Sequence, residues 1–281
     1  MRIYKIKSYA KINLSLNIIG KLKKLHKIES IVSFIDLYDQ IFIKKINSAE
    51  HFVSFYGKFS KNIGKINTVS KLLNILDKNK LLNEIKFHIK IKKNIPQKAG
   101  LGGGSMNSAN ILNFLIKNNF INITHKQKIY ISNLVGSDVI LGINSRSSIL
   151  NSKGIIKDFL NCPKLYTLLV KPEFGCSTKK IYSQVKKFTK SKYNKPKRFM
   201  FSKKYLSTQE NDLEKVAFSR YPKLKKIKEF LLESNNPSFV RMTGSGSVIV
   251  AYYQSKQDCE LAKVKFKRKF KNYWCNTAKT I

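Results

Sequence analysis

The chain has 281 residues, enough for two domains of ordinary size, and its composition suggests no third domain. Lysine and arginine number 55 against 16 aspartates and glutamates, so the formal net charge is +39. The lysines are spread along the chain with abundant isoleucine and asparagine. We therefore attribute the excess to an A/T-biased genome rather than to a nucleic-acid partner, which remains the alternative.

Cysteine spacing favours neither a disulfide framework nor a zinc site, because the four cysteines form no C-x-x-C pair. Lys5, Lys7 and Lys11 interrupt any apolar core of a signal peptide. No run reaches the roughly 20 apolar residues that a membrane span needs. We expect a cytoplasmic protein with reduced thiols, a monomer or weak homodimer, that binds neither nucleic acid nor membrane.

The stretch from Ala10 to Ile19 alternates aliphatic and polar residues, which predicts a β-strand. The aliphatic side chains would face the core, while Lys11 and Asn13, two positions apart, would share the other face. A lysine and an asparagine placed in this way can point into one cleft. A solvated sheet edge explains the same alternation.

Three further apolar runs predict antiparallel strands joined by short turns. The turns are assigned to Asp39-Gln40 and Asn47-Ser48. The three runs cover residues 28–37, 41–46 and 51–56.

A helix is then predicted over Thr68–Leu82 from its spacing of leucines.

A glycine-rich loop, Pro96–Ala109, separates a predicted strand over 84–91 from a predicted helix that begins near Ser105 as its N-cap. A glycine turn that feeds a helix N-terminus lets backbone N–H groups approach an anion, and phosphate is the expected guest. The loop matches neither G-x-x-x-x-G-K-[ST] nor G-x-G-x-x-G. A tight strand-to-helix turn is the simpler alternative, although three consecutive glycines are costly in backbone entropy.

A second predicted helix opens with a capping box at Thr124 and Gln127 and ends at Gly136 in the C′ position. Asp138 follows that glycine directly, with apolar residues after it. A carboxylate in this setting is a candidate general base. A turn aspartate that caps the next element is the alternative.

After Gly154 the pattern changes to a second α+β unit of strands and helices. Strands Phe239–Met242 and Val248–Tyr253 enclose a second glycine loop, Thr243–Ser247, which is a candidate anion site or a plain hairpin turn. We expect both glycine loops to line one cleft between the domains. The lysine-rich stretch Lys186–Lys204 is predicted to be a mobile surface loop with helical turns.

Three segments together resemble the GHMP kinases, a family named for galactokinase, homoserine kinase, mevalonate kinase and phosphomevalonate kinase. They are the strand Ala10–Leu16, the loop Pro96–Ala109 and the loop Thr243–Gly246. The resemblance implies an α+β, two-domain GHMP kinase fold. It implies a ribosomal-protein-like α/β domain over residues 1–158 and a ferredoxin-like domain over residues 159–281.

The resemblance also implies transfer of phosphate from ATP to an alcohol, and it is greatest to members that act on a cytidine diphosphate sugar alcohol. Asp138 would accept the proton of the hydroxyl, beside Lys11. Mg²⁺ would arrive with ATP, and no protein side chain except the candidate Ser105 is expected to bind it. The ATP-binding residues implied are Pro96, Lys98, Ala99, Gly100, Leu101, Gly102, Gly103, Gly104, Ser105 and Asn107. The substrate-binding residues implied are Asn13, His26, Asp138, Thr178, Gly244, Ser245 and Gly246.

This chain departs from the family pattern at three positions, Leu25, Met106 and Ile140. Leu25 lacks the aromatic ring expected beside a cytosine, and Met106 lacks a hydroxyl that could contact phosphate. Three alternatives stay open: a GHMP kinase for another alcohol, a basic RNA-binding protein, and a kinase-derived protein without activity. His26, in the charged turn Lys21–Lys27, would in isolation be interpreted as a surface residue.

Overall fold

The computed structural model describes residues 2–22 and 25–281. Two short 3₁₀ helices cover Ile140–Gly142 and Arg198–Phe201. The strands are β1 Ile3–Leu22, β2 Leu25–Ile46, β3 Phe52–Tyr56, β4 Lys86–Lys92, β5 Ser148–Leu150, β6 Ile156–Asp158, β7 Tyr166–Lys171, β8 Phe239–Met242, β9 Ile249–Tyr253 and β10 Trp274–Lys279. The helices are α1 Thr68–Lys78, α2 Gly103–Lys117, α3 His125–Val135, α4 Thr178–Tyr182, α5 Lys203–Ser207, α6 Leu213–Arg220, α7 Pro222–Leu232 and α8 Lys256–Lys269.

The chain forms two compact units that are interleaved along the sequence. The predicted domain boundary between residues 158 and 159 stays a prediction. Within the described ranges, none of the helices combines the length and apolar character needed to cross a membrane. The first unit comprises Met1–Lys11, Leu37–Gln97 and Gly102–Ser145, and the second comprises Ile12–Asp36, Lys98–Leu101 and Arg146–Ile281.

In the first unit, the C-terminal half of β2 pairs antiparallel with β4, and β4 pairs parallel with β3. Helix α1 connects β3 to β4, as a parallel pair requires. The apolar faces of α1, α2 and α3 pack on this sheet, which creates one hydrophobic core. Central members of that core are Ile41, Ile43, Leu72, Leu76, Ile89, Leu112 and Leu115.

Two predictions about the antiparallel strands of this unit are wrong. The pair Asp39-Gln40 lies inside β2, a continuous strand of 22 residues, and does not form a turn. Asp39 is tolerated there because its fully buried carboxylate accepts hydrogen bonds from Asn94, Ile95 and Asn107 and pairs with Lys93. The third predicted strand, β3, runs parallel to β4 and is not a partner of β2.

In the second unit, four antiparallel strands take the order β10-β7-β9-β8. Helices separate β7 from β8 and β9 from β10, while β8 and β9 form a hairpin. This β-α-β-β-α-β arrangement is ferredoxin-like and confirms that part of the predicted fold. The N-terminal half of β2 also belongs to this unit and pairs with β5, which pairs with β6. Core side chains include Leu168, Val170, Ile227, Val240, Ala251 and Phe266.

The predicted surface loop Lys186–Lys204 contains a strap, residues 189–193, that is hydrogen-bonded to the second unit. The buried carboxylate of Glu29 accepts hydrogen bonds from Ser191 Oγ (2.8 Å) and from the N–H groups of Lys192 (2.7 Å) and Tyr193 (3.1 Å). Tyr193 is fully buried, so the expectation of a surface loop is wrong at this point. The expected helical turns are confirmed by α5 and the 3₁₀ helix before it.

Replacing Glu29 with glutamine should loosen the strap. The amide NH₂ of the new side chain would face two N–H or O–H donors, and leaving buried donors unsatisfied costs about 1–3 kcal/mol. We expect a lower free energy of unfolding in urea and faster hydrogen exchange at Lys192 and Tyr193. Glu233→Gln, at an exposed position of the same unit, is the control. Equal exchange in the two variants would contradict the role of Glu29.

Candidate active site

The two predicted catalytic residues, Lys11 and Asp138, are in contact. Lys11 Nζ lies 3.1 Å from Asp138 Oδ2, and their side chains are 4% and 35% exposed. Lys11 lies on β1, and Asp138 lies in the turn that follows α3. The half-buried carboxylate is therefore held beside a buried ammonium group while keeping access to solvent.

Both simpler interpretations of these residues are wrong. The polar face of β1 is not a solvated edge, because Lys11 is 3% exposed and Asn13 is 2% exposed. Asp138 is not the cap of the following element, because the N-cap of the 3₁₀ helix Ile140–Gly142 is Val139. A buried lysine is costly unless it is paired, and Asp138 supplies the pairing charge.

Helix α2 begins at Gly103, with Gly102 as its N-cap at φ +66°. The prediction of Ser105 as the N-cap is wrong, because the left-handed conformation at Gly102 starts the helix three residues earlier. The N–H of Met106 donates to the carbonyl of Gly102 (2.9 Å), and Gly102 has no side chain that could cap the helix. Within the part of the chain that the structure describes, no side chain accepts a hydrogen bond from the N–H groups of Gly103, Gly104 or Ser105. This arrangement suits a bound anion.

The start of α2 lies directly against the side chain of Lys11. A Cβ atom added to Gly102 would lie 2.7 Å from Lys11 Cγ, closer than real carbon atoms approach each other. Only glycine fits here, for both its backbone conformation and its missing side chain. The Lys11–Asp138 pair and the uncapped first turn are therefore parts of one site in the first unit.

Met106 and Asn107 point into the protein from the next turn of α2. Met106 is fully buried, and its Sδ would lie 2.9 Å from a Cβ added to Gly142. Asn107 is also buried, and its Nδ2 donates to Asp39 Oδ2 (3.0 Å). Met106 therefore occupies an interior position rather than the place of a hydroxyl that faces phosphate. The predicted ATP contact of Asn107 stays a prediction.

The sequence interpretation missed two charged residues next to the loop, Asp39 and Lys93. Both are buried, and they form an ion pair. Their signal was present in the sequence, because a carboxylate within an apolar strand pattern needs a buried partner. Asp39 was instead interpreted as a turn residue.

In the second unit, the early part of the first glycine loop lies against the second glycine loop. The N–H groups of Ser247 and Val248 donate to the carbonyls of Lys98 and Ala99, each over 3.3 Å. There is no room for a Cβ atom on Gly100, because it would overlap the carbonyl group of Thr243. The second loop is therefore more than a plain hairpin turn, since it packs backbone to backbone on residues 98–101.

Asn13 and Asn211 hold the second loop in place. The N–H of Asn13 donates to Thr243 Oγ1 (3.0 Å), and its Nδ2 donates to Ser30 Oγ (2.9 Å). Asn211 Nδ2 donates to the carbonyls of Met242 and Gly244, each over 2.8 Å. Asn211 was not predicted. It lies in a short polar stretch before α6 that gives no periodic signal.

Two other predicted substrate residues, Thr178 and Ser245, share a hydrogen bond of 2.9 Å between their hydroxyl groups. Thr178 is the first residue of α4, whose N-cap is Ser177. Gly246 lies against Met242, whose Sδ would be 2.7 Å from an added Cβ. The structure thus brings Thr178 to the second glycine loop, in agreement with the grouping that the family resemblance implies.

His26 lies on β2 within an aromatic group. Its ring centroid is 5.2 Å from that of Tyr182 and 6.5 Å from that of Phe188. Burial and the nearby charge of Lys21 lower the pKa of His26, so the imidazole is neutral at pH 7. Leu25 is 70% exposed and has no part in these ring contacts. His26 itself is partly exposed, and the predicted charged turn Lys21–Lys27 includes residues 23 and 24, which lie outside the described residues.

The remaining predicted ATP-binding residues differ in what they can offer. Pro96, Ala99 and Leu101 are buried apolar side chains, so only their backbone is available to a ligand. Lys98 and Gly104 are exposed, and Ser105 is half-buried. The roles of these residues stay predictions.

Two family models match the chain. The model for the GHMP kinases N terminal domain matches residues 67–150, and the model for the GHMP kinases C terminal region matches residues 200–272. The chain belongs to the GHMP kinase family. It is therefore a kinase, and membership in this family implies that it uses ATP.

Two proteins that are similar to this chain over most of its length carry the same name. The 4-diphosphocytidyl-2-C-methyl-D-erythritol kinase of Pelagibacter ubique is 57% identical over 281 residues, which is 100% of both chains. The protein of the same name from Petrotoga mobilis is 33% identical over 259 residues, or 87% of this chain and 96% of its own. A crystal structure of 4-(cytidine 5'-diphospho)-2C-methyl-D-erythritol kinase has a TM-score of 0.79 at 21% identity. That likeness covers 98% of this chain and 99% of the other, and it confirms the predicted two-domain fold.

Replacing Gly102 with alanine should impair the kinase more than it impairs the fold. The added Cβ would push on Lys11 Cγ, and displacements of about 1 Å at a reacting group cost on the order of 10²-fold in rate. We expect a comparable loss of kcat/KM for ATP in a steady-state assay.

Gly154→Ala is the matched control for this substitution. Gly154 also has a positive φ, +77°, but nothing lies within 4 Å of an added Cβ. Both variants share the backbone cost of about 1–2 kcal/mol, so both melting temperatures should fall. Equal kinetic losses in the two variants would show that the contact with Lys11 is unimportant.

Proposed function

We propose that the protein is an ATP-dependent kinase that phosphorylates the 2-hydroxyl of 4-diphosphocytidyl-2-C-methyl-D-erythritol, in the non-mevalonate pathway to isoprenoid precursors. The observation that carries this proposal is the identity of 57% over the full length of both chains to the Pelagibacter ubique protein of that name. The geometry of the Lys11–Asp138 pair supports it.

In this proposal, Asp138 accepts the proton of the substrate hydroxyl. The 2-hydroxyl is tertiary and a poor nucleophile, so a positioned base is needed in the transition state. Asp138 is suited to the task because it is partly exposed and fixed in place 3.1 Å from Lys11. The ammonium group of Lys11 would stabilise the negative charge that develops between the attacking oxygen and the phosphoryl group.

The ATP phosphates would lie at the N-terminus of α2. The left-handed Gly102 and the absence of a side-chain cap leave the N–H groups of Gly103, Gly104 and Ser105 for phosphate oxygens. Mg²⁺ bound to ATP would neutralise charge on the β- and γ-phosphates. Ser105 is the side chain of this turn that could reach the ion.

The substrate would be held by residues of the second unit. We assign Asn13, His26, Thr178 and the loop Gly244–Gly246 to this role. The neutral imidazole of His26, in contact with Tyr182, has the polar edge and the aromatic surroundings that a cytosine base requires. Location in the cytoplasm and a monomeric or weakly dimeric state stay predictions.

The alternatives differ in how they fit. The RNA-binding hypothesis gives no reason for a lysine–carboxylate pair beside an uncapped helix. The hypothesis of a kinase that has lost activity rests on Met106 and Leu25, and the side chain of Met106 is fully buried. Leu25 and Ile140 still distinguish this chain from the family pattern. A different alcohol substrate is the alternative that an assay must decide.

Asp138→Asn should lower turnover by about 10²–10⁴-fold while leaving the affinity for ATP nearly unchanged, because the base is lost but not the phosphate site. Single-turnover kinetics and equilibrium binding of ATP measure the two effects. Asp77→Asn is the control, since Asp77 also pairs with a lysine of the first unit, Lys86 at 2.9 Å. Near-normal turnover of Asp138→Asn would remove this carboxylate from the mechanism.

A substrate panel tests the acceptor. We expect coupled formation of ADP with 4-diphosphocytidyl-2-C-methyl-D-erythritol and none above background with mevalonate or homoserine. A site that hydrogen-bonds a specific group rejects analogues without it by about 10⁴–10⁵-fold. Turnover of mevalonate or homoserine at a comparable rate would overturn the proposed substrate. Absence of turnover with all three would favour a protein without kinase activity.

A further inference from the structure

One buried carboxylate holds the chain on both sides of the glycine loop. Asp39 is 0% exposed, and its Oδ1 accepts the N–H groups of Asn94 (2.8 Å) and Ile95 (2.9 Å). Its Oδ2 pairs with Lys93 Nζ and accepts Asn107 Nδ2 (3.0 Å). All four acceptor positions of the carboxylate are therefore used.

These partners lie at the two ends of the loop. Lys93, Asn94 and Ile95 immediately precede Pro96, where the loop begins, and Asn107 lies near the other end of the loop, in the second turn of α2. A single side chain of β2 thus fixes where the loop leaves the sheet and where the helix starts. Bringing the ends of a flexible loop together costs conformational entropy. Hydrogen bonds that fix both ends therefore make the loop between them better ordered.

Asp39 and its four partners, Lys93, Asn94, Ile95 and Asn107, form a group that we call the clamp. The clamp also lies directly beneath the first turn of α2. A Cβ added to Gly103 would be 3.3 Å from Lys93 Nζ and 3.1 Å from Ile95 Cγ2. Lys93 and Ile95 therefore form the floor on which Gly103 rests. Any movement of Lys93 or Ile95 would be passed on to the N–H groups of the first turn.

The chemistry of the clamp is not what stability alone would favour. A buried ion pair gains little over well-packed apolar side chains, because both charges must be removed from water. Asn107 Oδ1 is moreover buried without a hydrogen-bond partner among the described residues, which is a further cost. A group that fixes geometry, rather than one that adds stability, explains this arrangement better.

We propose that Asp39 is a positioning residue for phosphoryl transfer, which acts through Lys93, Asn107 and the 94–95 backbone to fix the first turn of α2 for the ATP phosphates. This inference rests on the proposed function in one respect, that the turn binds ATP. Because Asp39 is fully buried, it would touch neither reactant. Its effect is on the placement of the N–H groups of Gly103, Gly104 and Ser105.

The test removes both charges of the clamp together, because Asp39→Asn alone would leave the buried ammonium of Lys93 unpaired. In the double variant Asp39→Asn, Lys93→Met, the asparagine Oδ1 still accepts the 94–95 N–H groups. We expect the KM for ATP to rise tenfold or more, while the KM for the alcohol substrate changes less than twofold. Displaced binding groups on this scale weaken catalysis by about 10–10²-fold. Hydrogen exchange at residues 103–105 should accelerate.

The matched control is Asp77→Asn, Lys86→Met, which removes another aspartate–lysine pair of the first unit. Asp77 lies on α1 and Lys86 on β4, and the described side-chain partners of this pair are each other and His51, which lies 3.2 Å from Asp77, rather than residues of the loop. The control should lower the melting temperature without changing the ratio of the two KM values. The proposal is overturned if the clamp variant behaves like this control, or if exchange at residues 103–105 is unchanged.

Asn107→Ala keeps the proposal testable should the double variant fail to fold, since Lys93 and Asp39 remain paired. It removes one arm of the clamp and the unpaired Oδ1, and we expect a threefold or larger rise in the KM for ATP with a small change in melting temperature. An unchanged KM would overturn the proposal. Wild-type protein that binds ATP but does not turn over the cytidyl substrate would refute the proposed substrate alone, since ATP binding and hydrogen exchange still test the clamp.

Discussion

The close approach of Gly102 to Lys11 is the constraint on which the site in the first unit depends. It places the beginning of a helix, with its unsatisfied N–H groups, against the side chain that neutralises Asp138. Any other residue at the helix start would separate these two features. The positions of Asp138, Lys11 and the uncapped first turn of α2 thus depend on one contact between a backbone and the aliphatic part of a lysine side chain.

Buried carboxylates organise each unit in a similar way. Asp39 binds the chain around the glycine loop, and Glu29 binds the strap at residues 189–193. In both cases one carboxylate accepts backbone N–H groups from a segment without regular secondary structure. Such segments lack the regular backbone hydrogen bonds of a helix or sheet, so a side chain must accept from their N–H groups. These two acids therefore act as local substitutes for secondary structure.

The sequence was sufficient to predict elements with strong periodicity. Helix α3 with its capping box at Thr124 and the strands β8 and β9 agree with it closely, and α1 begins at the predicted residue but ends at Lys78 rather than Leu82. The predicted proximity of Lys11 and Asp138 is also observed. It failed where tertiary contacts override local signals. Asp39 resembles a turn residue until its four partners are known, and Ser105 resembles an N-cap until the left-handed Gly102 is seen. The strap depends on Glu29, which lies more than a hundred residues away, and no local pattern encodes such a contact.

The packing of Met106 has a consequence for how this family can diverge. Its sulfur and Ala109 Cβ fill the space where Gly142 would otherwise carry a side chain. A side chain at 142 would need a smaller residue at 106 and glycine at 109, because Ala109 Cβ would lie 2.7 Å from its Cβ. We therefore expect glycine at 142 wherever homologues carry methionine at 106 and alanine at 109. The departure at Met106 is in this way part of the packing between α2 and the 3₁₀ helix Ile140–Gly142.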